Sequence, residues 1–407
     1  MITMRRLAAA ATLMVAAACV SRSDGSKAAR AEYLYLWTAS ADSTRPDFLA
    51  VLDVTEDSAR YGQLVTTLPV PGTGNGPHHS EHEMAADRQL FVNGFGSGQS
   101  FIFDLTDPVR PRLAGQFGEI EGYNHPHSFL RLPNGNVLAT FQMRHDSGRM
   151  MPGGLVEVTP AGQAVRSSSA NAPGTDPALR VYSAGVVPSL DRIVTTTTDM
   201  EGDFAASQLQ IWRLSDLTLL RSITLPDGPA GNESMLTAEP RVLADGRTVL
   251  VSTFNCGLYL LEGLETDAPS GRLVASFPRK EGTYCAIPVV ASNYYLVTVP
   301  AWSAVVSLDI SNPAAPREVS RVTFGTDDVP HWISMSPDKR RVVVTGYRGM
   351  KHRVLIARFD AATGQLAMDD RFREAGASVP GFRMDDKTWP HGGSAPGIPH
   401  GAVFSRR

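Results

Sequence analysis

The chain has 407 residues, 43% hydrophobic and 19% charged, with 36 Gly, 28 Pro and a formal net charge of −3. This is ample apolar material for a core in a turn-rich chain. The scattered basic residues and near-neutral charge exclude the dense cationic face that nucleic acid requires.

The first element is N-terminal. Arg5 and Arg6 precede an apolar run, "LAAAATLMVAAA" (Leu7 to Ala18), followed by Cys19 and a polar stretch. A basic start, a short apolar run and small residues before a cut form the pattern of a secretory signal peptide over residues 1–18. The run falls short of the ~20 residues a membrane-spanning helix needs. "AAAC" also resembles a lipoprotein cleavage box, with Ala16 where Leu is usual. Simple cleavage near Ala18 and lipidation of Cys19 as first mature residue, anchoring the protein to a membrane, both stay open. Either way the mature protein is expected to be exported. Residues 19–30 read as a linker and 31–407 as one domain.

Beyond residue 30, short β-rich runs alternate with Gly, Pro, Asn and Asp turns. Strand-turn-strand units recur: "HPHSFLRLPNGNVLATFQ", "YSAGVVPSLDRIVTTTT", "AEPRVLADGRTVLVSTF", "CAIPVVASNYYLVTVP" and "PHWISMSPDKRRVVVTGY". Equivalent positions His127, Ser183, Glu239, Cys285 and His331 are spaced by 56, 56, 46 and 46 residues. Such periods are the signature of propeller blades with four strands each. "PHHSEHEMAADRQLFVNGFG" adds a unit upstream. C-terminal strands, closed by the N-terminal "EYLYLWTAS" and "PDFLAVLDV", complete an all-β, seven-bladed propeller. "FIFDLTDPVRPRLAGQF" and "VVSLDISNPAAPREVSRV" match each other as outer-strand phrases.

The innermost strand of each blade starts beside the central channel. That position holds His78 and His79, then His125 and His127, Tyr182 and Ser183, Glu239, Cys285, His331 and His400. Histidine recurs at four of seven blades in a chain with only 10. Imidazole is the commonest ligand for Cu, Fe and Zn, so His78, His79, His127, His331 and His400 are candidate metal ligands. Glu239 is suited to accept the other ring N–H of a ligand, or to act as a catalytic base, as is His82. His125 is read as an outer partner of the ligands. His145 and His352 are read as surface residues, and His391 as a further candidate ligand in a loop over one channel mouth. Cys285 could bind copper, fill apolar space, or pair with Cys256 in an oxidising compartment. "GFGSGQS" reads as a hairpin turn and "TTTTD" as strand; Walker, HExxH and GxSxG motifs are absent.

"PDFLAVLDVTEDSARYGQLVTTLPVPGTGNGPHHSEH" resembles the N-terminal stretch of the selenium-binding proteins, which include the methanethiol oxidases. "HPHSFLRLPNGNVLATF" and "SLDISNPAAPREVSRV" are similar to further segments of that family. The likeness is specific over about residues 31–145 and collinear to about residue 350. It implies a seven-bladed propeller and a copper enzyme converting methanethiol, O₂ and water to formaldehyde, hydrogen sulfide and hydrogen peroxide. It implies copper ligands at His78, His79, His127 (or His125) and His400, and a periplasmic location. The family's "HHSGWNTCSSC" is "HHSEHEMAADR" here, so the cysteines tied to selenium binding have no counterpart. His331 stands where the family usually has no histidine. Two other readings stay open: a non-haem iron oxygenase with a four-His site, and a non-catalytic propeller lipoprotein that binds a partner.

Overall fold

The computed structural model describes residues 31–406, apart from 147, 201, 203–205 and 347–351. The expected signal peptide over residues 1–18, Cys19 and the rest of the expected linker to residue 30 lie outside the described residues.

Seven antiparallel sheets are arranged in a ring. Blade 1 is shared by the two ends of the chain: Gly397–Phe404 is its inner strand, followed outward by Tyr33–Ser40, Phe48–Asp53 and Leu64–Pro69. One C-terminal strand closes the ring, and the N-terminus supplies the other three. Blades 2 to 7 begin, at the axis, with Pro77–Ser80, Tyr123–Arg131, Ala184–Val187, Thr237–Val242, Ala286–Ala291 and Trp332–Met335. In blade 7 an extra short strand, Phe382–Arg383, pairs with Arg353–Phe359.

The strands are apolar on both faces because each sheet is packed between two others. Side chains alternate along a strand. Leu34, Leu36, Phe48, Ala50 and Leu52 therefore pack toward blade 7, against Val343, Val354 and Ile356. Their neighbours Tyr35, Trp37, Leu49 and Val51 pack toward blade 2, against Val92, Phe101 and Phe103. Similar clusters fill the remaining seams. Each large apolar side chain buried there contributes about 1.5–3 kcal/mol.

Polar contacts fix the closure. Gly397–Phe404 pairs with Tyr33–Ser40, Phe404 opposite Leu34 and Gly397 opposite Ser40. Buried Arg341 of blade 7 pairs with Glu32 and donates to the Val54 carbonyl at 2.6 Å. The matching outer phrases form matching turns. Asp104 accepts from Thr106 N–H and Arg112; Asp309 accepts from Ser311 N–H and Arg317. The "GFGSGQS" hairpin turn ends at Gly98, at φ +66°.

Cys256 and Cys285 form a disulfide, with Cα atoms 5.0 Å apart. This settles the open reading of Cys285. Its sulfur is bonded to Cys256 and is not a copper ligand.

Candidate metal centre

The inner strands present more than alternate residues to the axis because several are bulged. Pairing shifts register between Pro77 and Ser80, between Pro126 and Phe129, between Thr237 and Pro240, and opposite Leu36 to Thr38. A bulge lets adjacent residues share a direction. His78 and His79, neighbours in sequence, accordingly stack ring on ring at 4.5 Å and 5°.

A repeated staple holds these bulges in place. In blades 2, 3, 4 and 6 a polar side chain on the second strand accepts an N–H from its own inner strand. It also donates to a carbonyl of the next blade's inner strand. Asn93 Oδ1 accepts from His79 N–H, and Asn93 Nδ2 donates to Pro126 O at 3.1 Å. Thr140 Oγ1 accepts from Ser128 N–H at 3.0 Å and donates to Tyr182 O at 2.7 Å. Thr196 links Ser183 N–H to Ala238 O, and Thr298 links Ala286 N–H to His331 O. In blade 7, Thr345 donates to His400 O at 2.7 Å. Gly401 completes the approach: a Cβ there would lie 2.8 Å from Ser80 N, so a residue without one lets the closing strand reach blade 2.

Five of the candidate histidines converge. His78, His79 and His127 form one group in which a ligand nitrogen from each lies within 4.8 Å of the others; His78, His331 and His400 form a second. His78 belongs to both. Ring centroids lie at 4.2 Å for His79–His127 and His78–His400, and 4.8 Å for His331–His400. His78, His79, His127 and His400 are buried and His331 is half-buried.

His127 has a defined tautomer. Its Nδ1 lies 2.9 Å from the Tyr182 carbonyl, which can only accept, so Nδ1 carries the proton. Nε2 then holds a buried lone pair and, among the described residues, has no hydrogen-bond partner. Burial pushes His127 down to about 3. Burial, then the His127, His78 and His400 rings, holds His79 well below the usual imidazole range; burial, then His331 and His127, does the same to His400. Neutral imidazoles with an orphaned lone pair fit a bound transition metal.

Around them lie groups that sequence reasoning did not select. Tyr182 OH lies 3.1 Å from His79 Nε2, and its ring packs on His127 at 4.0 Å. Ser128 Oγ lies 3.2 Å from Nδ1 of both His79 and His127. Tyr182 occupies the repeat position where other blades have histidine, which was the available signal. Ser128 had none.

Glu239 accepts from Ser183 Oγ at 2.8 Å and Arg241 Nη1 at 2.7 Å, while its other oxygen, Oε1, lies 4.0 Å from His79 Nδ1. Burial raises its pKa, opposed by Arg241 and Ser183. His82 belongs to neither histidine group. Its ring stacks flat on Trp332 at 4.4 Å, and Arg241 Nη2 lies 2.9 Å from its Nε2. Burial and Arg241 both hold it neutral. His82 and Arg241 line a cavity of about 780 Å³ walled by the far ends of the inner strands.

The remaining histidines lie elsewhere. His391 is not at the axis: its Nδ1 lies 2.7 Å from Thr67 Oγ1 on the outer strand of blade 1, and its ring packs on Phe48. Chain distance from His400 hid this, because the intervening loop runs outward. His125 Nδ1 lies 2.8 Å from Asn124 Oδ1, and its ring packs on Phe95 at 5.5 Å. His145 is exposed; His352 is half-buried, 3.2 Å from Asp385.

The fold and this geometry define a seven-bladed propeller with an axial imidazole cluster able to hold a metal ion. No family model matches the chain. It is 34% identical over 108 residues to a methanethiol oxidase of Hyphomicrobium sp., covering 25% of this chain and 24% of that protein. It is 30% identical over 125 residues to a methanethiol oxidase of Ruegeria pomeroyi, covering 29% and 28%. The match thus spans about a quarter of the curated relatives' length. A hypothetical selenium-binding protein from Sulfolobus tokodaii superposes with TM-score 0.75 and 18% identity over 93% of this chain and 94% of that one. A periplasmic gluconolactonase of Pseudomonas aeruginosa follows at 0.62 and 14%, over 92% and 99%. The resemblance to the selenium-binding protein and methanethiol oxidase family read from the sequence is found again here, over the matched quarter by identity and over the ring by fold.

Proposed function

We propose that the protein is an exported, metal-dependent oxidase of small thiols, of the methanethiol oxidase type, with copper held by axial histidines from the set His78, His79, His127, His331 and His400. The observation that carries this reading is the axial histidine cluster, in which burial holds His79, His127 and His400 neutral and His127 Nε2 has no hydrogen-bond partner among the described residues. Similarity to methanethiol oxidases supports the reaction class. Bound copper would supply affinity for a thiolate sulfur and a route for electrons to O₂.

The chain's own residues do the rest. His127 is locked by the Tyr182 carbonyl so that only Nε2 can serve as ligand. Glu239 is the buried carboxylate beside His79, and among the described residues its Oε1 has no hydrogen-bond partner. Its raised pKa suits it to take up and return a proton at Oε1. Tyr182 OH, beside His79 Nε2, can donate a hydrogen bond to an oxygen or sulfur atom held there. Half-buried Phe95, whose ring packs on His78 at 6.0 Å and His127 at 5.7 Å, gives the site an apolar neighbour that suits a methyl group. The overall reaction balances: CH₃SH, O₂ and H₂O give CH₂O, H₂S and H₂O₂.

The test is H₂S and H₂O₂ release from methanethiol by protein expressed with copper. Turnover that is lost in His127→Ala supports the reading. Stoichiometric iron without thiol turnover would favour the oxygenase reading, and absence of any metal would leave a binding propeller. Export is tested by locating the mature protein in cell fractions and by the mass of its N-terminus.

A further inference from the structure

A second group of metal-ligating side chains lies away from the axis. Strands Val137–Asp146 and Arg149–Val158 of blade 3 are the longest of the fold, at 10 residues each, and form a hairpin. Near its tip His145 pairs directly opposite Met150, and Met143, two residues back, pairs opposite Pro152. Alternation places His145, Met150 and Met143 on one face. Directly opposed residues have Cβ atoms about 4.5–5.5 Å apart, close enough for both side chains to reach one ion. His145 is 53% exposed in its side chain and Met150 is 40% exposed, an unusual position for a large apolar residue.

The donor set selects its cation. Thioether and imidazole together are soft ligands that favour Cu(I), and they suit neither Ca²⁺ nor Mg²⁺. His145 Nδ1 lies 3.4 Å from Glu119 Oε2, which can only accept, so in the tautomer that donates to Glu119 the proton is on Nδ1 and Nε2 carries the lone pair; Asn124 Nδ2 is then a neighbour at 3.1 Å without a hydrogen bond. A carboxylate on one ring nitrogen orients the other, Nε2, as a ligand.

The same face leads inward. Asn124 lies against His145 on one side and accepts from His125 Nδ1, at 2.8 Å, on the other. His125 is held at φ +55°, a costly conformation for a side chain of its size. Its ring meets Phe95 at 5.5 Å, and Phe95 packs on His127 at 5.7 Å. A line of contacting side chains, His145, Asn124, His125, Phe95 and His127, thus runs from the hairpin to the axial cluster.

We propose that His145 and Met150, with Met143 behind them, form an outer Cu(I) site through which the axial histidines are loaded. The outer site stands on its own donor chemistry; its loading role rests on the copper reading of the axis.

The probe is Cu(I) buffered by bicinchoninate, added to the full protein carrying ¹³C-methyl methionine. The Met150 methyl signal is expected to move on binding. Met150→Leu and His145→Gln are each expected to weaken retention at this site at least tenfold. In both variants the axial site should reach the same final occupancy, but more slowly at limiting Cu(I). An unmoved Met150 signal, with equal Cu(I) retention in wild type and Met150→Leu, would overturn the site. Unchanged loading rates would overturn the loading role. Failure of the axial copper reading shows separately, as no axial copper in wild type whatever the hairpin binds.

Discussion

The seams between blades and the axis they surround are equally buried and oppositely built. At a seam such as blade 1 against blade 2, Trp37, Phe101 and Phe103 interlock, and the one polar atom, Trp37 Nε1, donates to Asn93 O at 2.7 Å. At the axis, neighbouring imidazole rings lie 4.2 to 4.9 Å apart, and among the described residues His127 Nε2 and Glu239 Oε1 have no hydrogen-bond partner. Burying polar atoms without partners costs free energy. The seams therefore supply the stability that lets those two axial atoms stay without a hydrogen bond.

Substitutions can break this contrast at either side. Trp37→Ala should cost about 3–5 kcal/mol in denaturant unfolding, with metal content of the folded fraction unchanged. Thr140→Val removes the staple between Ser128 N–H and Tyr182 O. It should cost about 2 kcal/mol and, by loosening the partner that orients His127, weaken metal binding about tenfold.

Protonation sharpens the contrast. In the metal-free protein His127 takes a proton near pH 3, but the unfolded chain does so near 6.5. Between those values the unfolded state holds more protons, so the contribution is complete above pH 6.5 and is lost as pH falls toward 3. Each such histidine should lower stability by ~1.4 kcal/mol per pH unit in that window. His79 and His400 act in the same direction. Unfolding curves at pH 7.5 and 5.5 should show the loss, and His127→Asn should flatten it. The smallest effect is expected at His391→Ala. Loss of the Thr67 contact should cost about 1 kcal/mol or less, with metal content unchanged, because that ring is at the outer edge of blade 1.

The fold was legible because alternation and turn chemistry repeat at blade length, and because the repeat set the position of each inner strand. His79, His127, His331 and His400 could be selected as a group for that reason. What the repeat does not encode is direction within a bulge. Whether His78 points with His79 or away from it depends on the Asn93 staple, not on spacing. His82 sits three residues after His79, and spacing leaves open whether it is a base or lines the channel; its place beside Trp332 and Arg241 at the cavity wall depends on side-chain packing that spacing does not give. The staple threonines were in view as "ATF", "TTTT", "VTV" and "VTG". Their role required knowing which carbonyl of the next blade lies opposite. The Cys256–Cys285 pairing likewise depended on Cα separation, which spacing along the chain does not give.

The central claim is that the axial imidazoles hold a metal ion. Metal content measured on the purified protein, beside the spectroscopic signature of nitrogen ligands, tests it most directly. The account predicts a stoichiometric ion with several imidazole nitrogens in wild type and its loss in His127→Ala. A wild-type protein free of metal after copper-supplemented expression, or one whose metal survives His127→Ala unchanged, would contradict it.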